Sequence, residues 1–134
     1  MMHPFHYFDK VFIINLPSRT DRRREMDEQL RIVGLGLDAP IIELFPALRP
    51  SDCGEFDSVG ARGCFMSHMS VLKKAAEMAY ARILILEDDV NFVSDFTKRL
   101  SLSVESLSNQ HWNIFYGGFI SRQRRPIGRR RLVP

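Results

Sequence analysis

The stretch ILILEDDVNF, residues 83–92, joins an apolar run directly to three consecutive carboxylates. The four apolar residues 83–86 have the length and composition of a buried strand. Glu87, Asp88 and Asp89 follow at once, and adjacent anions repel one another. We therefore expect a cation, or a positively charged partner, at the end of this strand.

Strand and helix patterns alternate on both sides of this stretch. Apolar, β-branched runs predict further strands at KVFIINL (10–16), PIIELFPAL (40–48) and WNIFY (112–116). Strands that alternate with helices predict an α/β fold with a mostly parallel sheet, helices on both faces and right-handed crossovers.

Three helices are predicted between these strands. The first follows Ser18, which with Asp21 resembles a capping box, and it ends at Gly34. The last covers about 94–107, with Ser94 as its cap. The middle helix spans 61–80, and its apolar stripe is expected to contain Cys64, His68, Val71, Leu72, Ala75 and Ala79.

Composition limits the classes of protein to consider. The chain has 134 residues, 45% of them hydrophobic, which is typical of one globular domain. Residues 121–134 hold six of the nineteen basic residues, and the other thirteen are outnumbered by the sixteen acids. We expect a domain over 1–120 and a basic, disordered tail over 121–134. The tail lacks interleaved aromatic residues, which argues against nucleic-acid binding.

The location is predicted from what the sequence lacks. No apolar run approaches the roughly 20 residues that span a bilayer, and the first residues do not resemble a signal peptide. Two cysteines are too few for a disulfide framework. These features predict a cytoplasmic protein, peripheral at most at the inner face of a membrane.

The carboxylates after residue 86 predict a metal site. Ligands of parallel α/β sheets bind at the carboxyl ends of the strands. Side chains alternate along a strand, so Glu87 and Asp89 are expected on one side and Asp88 on the other. Two carboxylates spaced in this way suit a hard cation such as Mn²⁺ or Mg²⁺. The alternative is an acidic turn that caps the next helix.

Three segments in order resemble one known family. VFIINLPSRTDRRREM (11–26), GARGCFMSHMSVLKKA (60–75) and ILILEDDVNF (83–92) resemble the glycosyltransferase family 25 domain. The resemblance covers roughly residues 10–118. It implies a GT-A-like nucleotide-binding fold, a UDP-sugar donor, and a divalent metal held by a D-x-D-type motif. Asp89 then takes the metal-ligand role, and Glu87 the metal-side or ribose-side role.

The resemblance also implies further donor-binding residues. These are Asn15, Arg19, Asp21, Arg22, Ser67, His68, Glu87 and Asp88. Arginine suits diphosphates and base stacking, although the first segment is otherwise an ordinary helix start. A histidine on an apolar stripe is otherwise a satisfied core residue. Cys64 and His68 supply only two ligands where zinc needs three or four, so the sequence argues against zinc.

The predicted activity is transfer of galactose or glucose from a UDP-sugar to a saccharide or lipid-linked saccharide, as in lipopolysaccharide or other glycan biosynthesis. No catalytic base is identified. Family members continue beyond the fourth strand, so we expect an incomplete domain whose uncovered edge promotes self-association.

One alternative is an inactive nucleotide-sugar-binding remnant. A remote alternative is a phospho-acceptor signalling domain, which needs an acidic pair on the first strand instead of Asn15-Leu16-Pro17.

Overall fold

The computed structural model describes residues 2–118, and the predicted basic tail lies outside them. Its strands are β1 (Lys10–Asn15), β2 (Ile42–Pro46) and β3 (Ile83–Glu87). Its helices are α1 (Thr20–Ile32), α2 (Val59–Glu77) and α3 (Phe96–Ser108), and a short 3-10 helix covers Pro4–Tyr7. This arrangement confirms the predicted Rossmann-like α/β fold.

The three strands form one parallel sheet in the order β2-β1-β3. The register places Asn15 opposite Pro46 and Ile14 opposite Glu87. The chain passes from β1 to β2 on one side and then crosses to β3 on the other. The strand order therefore reverses at β1, and the carboxyl ends of β1 and β3 form a topological switch point, where α/β sheets bind their ligands.

The central strand β1 is buried on both faces. Phe12 and Ile14 pack with Val71 and Ala75 of α2 in one cluster, and Phe12 also contacts the ring of Tyr80. Alternation along the strand directs Val11 and Ile13 to the opposite face. Met26 and Leu30 are the buried residues of α1.

The buried face of α2 is rotated relative to the predicted stripe. Gly63, Ser67, Val71 and Ala75 are buried. The predicted stripe members Cys64, Leu72 and Ala79 are exposed, so this part of the prediction was wrong. The reason is Gly63, where an added Cβ would lie 2.6 Å from the Leu48 carbonyl oxygen. The helix contacts the chain after β2 through its smallest residues.

The helix starts also differ from prediction. Helix α1 begins after Arg19, and among the described residues no side chain caps it, so the Ser18 capping box was wrong. Helix α2 begins two residues early because the Ser58 hydroxyl accepts the Ala61 N–H at 2.9 Å. Helix α3 follows Asp95 and not Ser94.

Two helices end in the same hydrogen-bond pattern. At the end of α1 the Gly34 N–H donates to the Arg31 carbonyl and the Leu35 N–H donates to the Leu30 carbonyl. Gly34 has φ +86°. This Schellman motif confirms Gly34 as the predicted end of the helix. Helix α2 ends in the same way with Ala79 at φ +57°, a conformation that a non-glycine residue rarely adopts.

The chain divides into two compact units, of which the larger is Phe5–Phe92 and contains the whole sheet. Among the described residues, the second unit contains residues 2–4 and 93–118, including α3 with its buried Leu100 and Ser103.

The predicted fourth strand over 112–116 was wrong. Within residues 2–118 the sheet has three strands, and Ile114 and Tyr116 are 68% and 57% exposed. An apolar run becomes a strand only when a neighbouring strand accepts its backbone hydrogen bonds. None of the described helices is long and apolar enough to cross a bilayer.

Candidate functional site

A cleft of about 330 Å³ opens at the carboxyl ends of the strands. It is bounded by the chain after β1, the chain after β2, the first turns of α2 and the end of β3. Charged side chains of both signs line it, namely Arg19, Arg22, Arg49, Glu87, Asp88 and Asp89, together with the imidazole of His68. The cleft thus lies at the switch point of the sheet, within the larger unit.

Asn15 organises the side of the cleft between β1 and β3. Its side chain is buried, and its Nδ2 donates to Asp88 Oδ2 at 2.8 Å and to the Arg19 carbonyl at 3.2 Å. Its Oδ1 accepts from the Arg23 guanidinium at 3.3 and 3.4 Å. One buried amide therefore orients Asp88 and holds the loop after β1.

The arginines after β1 form the basic wall. Arg19 pairs with Asp21 through two hydrogen bonds of 2.9 and 3.0 Å. The hydrogen bond from Arg19 holds the pKa of Asp21 well below its usual range. Asp21 reaches the cleft only through Arg19, whereas Arg22 lines the cleft directly.

Ser67 lines the cleft and holds two elements together. It is fully buried, its hydroxyl donates to the Gly63 carbonyl at 2.7 Å, and it accepts the Leu48 N–H at 2.9 Å. The bond to Gly63 lies within α2, and the bond from Leu48 joins α2 to the chain after β2. The hydroxyl is engaged structurally, so its predicted contact with a donor sugar stays a prediction.

Cys64, His68 and Glu87 meet at the other side of the cleft. The Cys64 thiol donates to Glu87 Oε1 at 3.3 Å, and His68 Nε2 lies 3.8 Å from the same oxygen. His68 Nδ1 is 2.9 Å from the Cys64 carbonyl oxygen, and a carbonyl only accepts, so Nδ1 carries the proton. Burial, together with Glu87, raises the pKa of Cys64 to about 11. The His68 side chain is 35% exposed, so the core-histidine alternative does not describe it.

The three consecutive carboxylates point to different neighbours. Glu87 contacts α2, and Asp88 contacts Asn15 on β1. Asp89 follows the end of β3 and lines both this cleft and a smaller pocket of about 180 Å³ beside α1. Because the strand ends at Glu87, strict alternation does not extend to Asp89, and a metal shared by Glu87 and Asp89 stays a prediction.

Two residues at the site were missed by sequence reasoning: Arg49 lines the cleft from the chain after β2, and Arg23 holds Asn15. The sequence argued against Cys64 and His68 as zinc ligands for want of a third group, and the structure places Glu87 beside both. The position of Arg49, just beyond a parallel strand, was a usable signal. The contact of Cys64 with Glu87 joins residues 23 apart in sequence and has no local signal.

The fold and the cleft define a Rossmann-like α/β protein with its site at the switch point of a parallel sheet. The family model for glycosyltransferase family 25, described as an LPS biosynthesis protein, matches residues 8–123. The chain belongs to glycosyltransferase family 25.

Curated relatives agree with this assignment. Inactive glycosyltransferase 25 family member 3 of Homo sapiens is 33% identical over 83% of this chain and 22% of its own length. Procollagen galactosyltransferase 2 of Homo sapiens is 32% identical over 83% of this chain and 21% of its own length. Procollagen galactosyltransferase 1 of Danio rerio is 29% identical over 91% of this chain and 23% of its own length. The chain spans less than a quarter of the length of these relatives. No solved structure matches it significantly.

Proposed function

We propose that this chain is the donor-binding part of a metal-dependent glycosyltransferase that transfers galactose or glucose from a UDP-sugar to a saccharide or lipid-linked saccharide. The observation that carries the proposal is the convergence of three arginines and three carboxylates on one cleft at the switch point of the sheet. The proposed acceptors include lipopolysaccharide and other glycans. The proposed site of action is the cytoplasm, including the inner face of a membrane.

The basic wall supports binding of a diphosphate. Arg19, Arg22 and Arg49 reach the cleft from the chain after β1 and after β2. Guanidinium groups bind phosphate oxygens in pairs and stack on flat bases. Arg19 is held in place by Asp21, which reduces the side-chain entropy lost when a ligand binds.

The acidic wall supports a divalent cation. Carboxylate oxygens are the ligands that Mn²⁺ and Mg²⁺ prefer, and Glu87 and Asp89 both line the cleft. These two residues would hold the ion, while Asp88 is oriented by Asn15. A bound cation supplies Lewis-acid stabilisation of the negative charge that develops on the departing diphosphate.

Transfer needs a base that removes the acceptor hydroxyl proton. The roles proposed above for the residues of the cleft do not include this base. Two relatives of similar identity differ in name, one being a galactosyltransferase and the other inactive. Binding of a nucleotide sugar without transfer is therefore the second candidate function. Release of UDP from UDP-galactose and UDP-glucose, with a saccharide acceptor and Mn²⁺, distinguishes the two.

The metal and the donor are tested together by calorimetry. UDP is titrated into the chain with and without Mn²⁺, and we expect tighter binding with the metal. Asp89→Asn keeps the shape of the side chain but removes its charge, so we expect loss of the Mn²⁺ enhancement. Glu105→Gln, on α3, is the matched control and is expected to bind like the wild type.

Three results would contradict parts of this proposal. Equal UDP affinity with and without Mn²⁺ argues against the metal. Absence of UDP binding in both conditions argues against the donor. If Asp89→Asn lowers the melting temperature strongly, the carboxylate has a structural role in the turn after β3, as the capping alternative predicts.

A further inference from the structure

A second group of metal ligands lies in the same cleft. Cys64, His68 and Glu87 place one ligand atom each within 4.8 Å of one another, the one such cluster of three among residues 2–118. Two come from successive turns of α2, and the third is the last residue of β3. From this geometry we infer that Cys64, His68 and Glu87 form a binding site for Zn²⁺ or a similar thiol-binding cation.

The distances approach those of a zinc site. Zn²⁺ takes sulfur at about 2.3 Å and nitrogen or oxygen at about 2.0–2.2 Å in tetrahedral geometry, so neighbouring ligand atoms lie about 3.3–3.7 Å apart. The thiol and carboxylate are 3.3 Å apart, and the imidazole Nε2 and the same carboxylate oxygen are 3.8 Å apart. All three ligand atoms lie within 4.8 Å of one another, so rotations of the side chains can bring them onto one ion.

The hydrogen bond made by the His68 imidazole suits metal binding. Its Nδ1–H donates to the carbonyl of Cys64 at 2.9 Å, which leaves the lone pair of Nε2 directed toward Glu87. A ligating histidine commonly makes this kind of hydrogen bond, which fixes both tautomer and ring orientation. With a neutral His68, Zn²⁺ needs to displace only the thiol proton.

The chemistry of the three ligands separates this site from the proposed Mn²⁺ site. Thiolate and imidazole favour Zn²⁺, whereas Mn²⁺ and Mg²⁺ favour oxygen alone. A thiolate and a carboxylate together neutralise the charge of Zn²⁺. Three protein ligands leave the fourth position open toward the cleft, to water or to a ligand oxygen.

The two sites share Glu87. This consequence depends on the proposed function: a zinc ion that holds Glu87 withdraws it from the Mn²⁺ that would accompany a UDP-sugar. Zn²⁺ is then an inhibitor that weakens donor binding by occupying Glu87 in the same cleft. The inhibition is expected to be relieved by a chelator that binds Zn²⁺ in preference to Mn²⁺.

Cobalt provides a direct test because Co²⁺ substitutes for Zn²⁺ and reports its ligands by colour. The whole chain is titrated with Co²⁺ under reducing conditions and then with Zn²⁺. We expect the visible bands of tetrahedral cobalt and a near-ultraviolet thiolate-to-cobalt charge-transfer band, both removed by Zn²⁺. Cys53→Ser, which alters the other free cysteine, is the matched control and keeps both bands.

Variants at the site complete the test. Cys64→Ser is expected to lose the charge-transfer band, and His68→Gln and Glu87→Gln to weaken Zn²⁺ binding at least about tenfold. Absence of the charge-transfer band in the wild type overturns the inference, as does its persistence in Cys64→Ser. Circular dichroism of each variant distinguishes loss of a ligand from loss of the fold.

The outcome is independent of the donor. If Co²⁺ binds through Cys64 but UDP does not bind with any metal, the zinc site stands and the proposed function fails. If UDP binds with Mn²⁺ but no thiolate band forms, the reverse holds. If both occur, Zn²⁺ is expected to remove the Mn²⁺ enhancement of UDP binding in the wild type and not in Cys64→Ser.

Discussion

Asn15 shows how one side chain assembles the candidate site. A buried amide with both of its polar atoms engaged joins Asp88 to the arginines after β1. An asparagine can donate and accept at once, whereas an aspartate at this place would put two carboxylates 2.8 Å apart. The reactivity of Cys64 is likewise determined by its neighbours.

The reactivity of Cys64 gives a prediction at the residue scale. Burial and the anion of Glu87 raise the pKa of its thiol to about 11, so at pH 8 only about one molecule in a thousand carries the thiolate. We expect slow alkylation although the residue is exposed. Because the raised pKa favours the protonated thiol, the rate should climb as the pH rises toward 11.

Glu87→Gln tests the electrostatic part of this effect. Removal of the anion lowers the pKa of Cys64 toward its ordinary value, so alkylation at pH 8 should accelerate several-fold. Both chains carry Cys53→Ser and are treated with a chelator, and iodoacetamide incorporation is followed by mass spectrometry. An unchanged rate would mean that burial alone protects the thiol.

Helix α2 determines the shape of the cleft at the element scale. Its first turns lie against the chain after β2, where Gly63 and Ser67 contact Leu48. This close approach places Cys64 and His68 at the cleft. Each of them directly follows a buried residue of α2, so its side chain lies beside the buried stripe. The short distance between α2 and the chain after β2 therefore depends on residue 63 being glycine, which has no side chain.

Gly63→Ala is expected to destabilise the fold. Its Cβ would lie 2.6 Å from the Leu48 carbonyl oxygen, a backbone atom, so the helix or the loop must move. Overpacking of this kind costs about 1–3 kcal/mol of unfolding free energy. Chemical denaturation followed by circular dichroism measures the loss.

Gly60→Ala is the matched control on the same helix. The nearest atom to its added Cβ is the Ser58 hydroxyl oxygen at 3.8 Å, an ordinary contact. Alanine is also the better helix former, so we expect equal or slightly higher stability. Equal effects of the two substitutions would show that helix propensity, and not close packing, accounts for Gly63.

Exposed apolar surface governs behaviour at the scale of the whole molecule. Phe65, Met69 and Leu72 are 53%, 49% and 49% exposed, and their spacing places them on one face of α2. Among the described residues, β3 has a strand partner on one side only. Apolar patches and open strand edges both favour association.

We therefore expect the chain to self-associate. The mass measured by light scattering should rise with concentration, and Met69→Lys with Leu72→Lys should shift the protein toward monomer because lysines resist burial. Ile32→Lys replaces a single exposed apolar residue, 64% exposed on α1, and serves as the control with no expected change. A wild-type chain that stays monomeric throughout would contradict this prediction.

The sequence by itself determined the elements whose signals are local. The β-branched runs of β1, β2 and β3 and the helical periodicity between them depend on neighbours a few residues apart, and Gly34 ends α1 as its type predicts. The carboxylates after β3 and the arginines after β1 were assigned to one end of the sheet because parallel strands end on the same side.

Only the tertiary structure decided how these elements meet. Residues 112–116 have a strand-like composition, but no strand among residues 2–118 pairs with them. The rotation of α2 depends on Gly63 and on a Ser67–Leu48 bond across 19 residues. The bond from Asn15 to Asp88 crosses 73 residues, and that from Cys64 to Glu87 crosses 23. Local patterns carry no information about such pairs, because the energy of each contact depends on packing that forms only when distant segments come together.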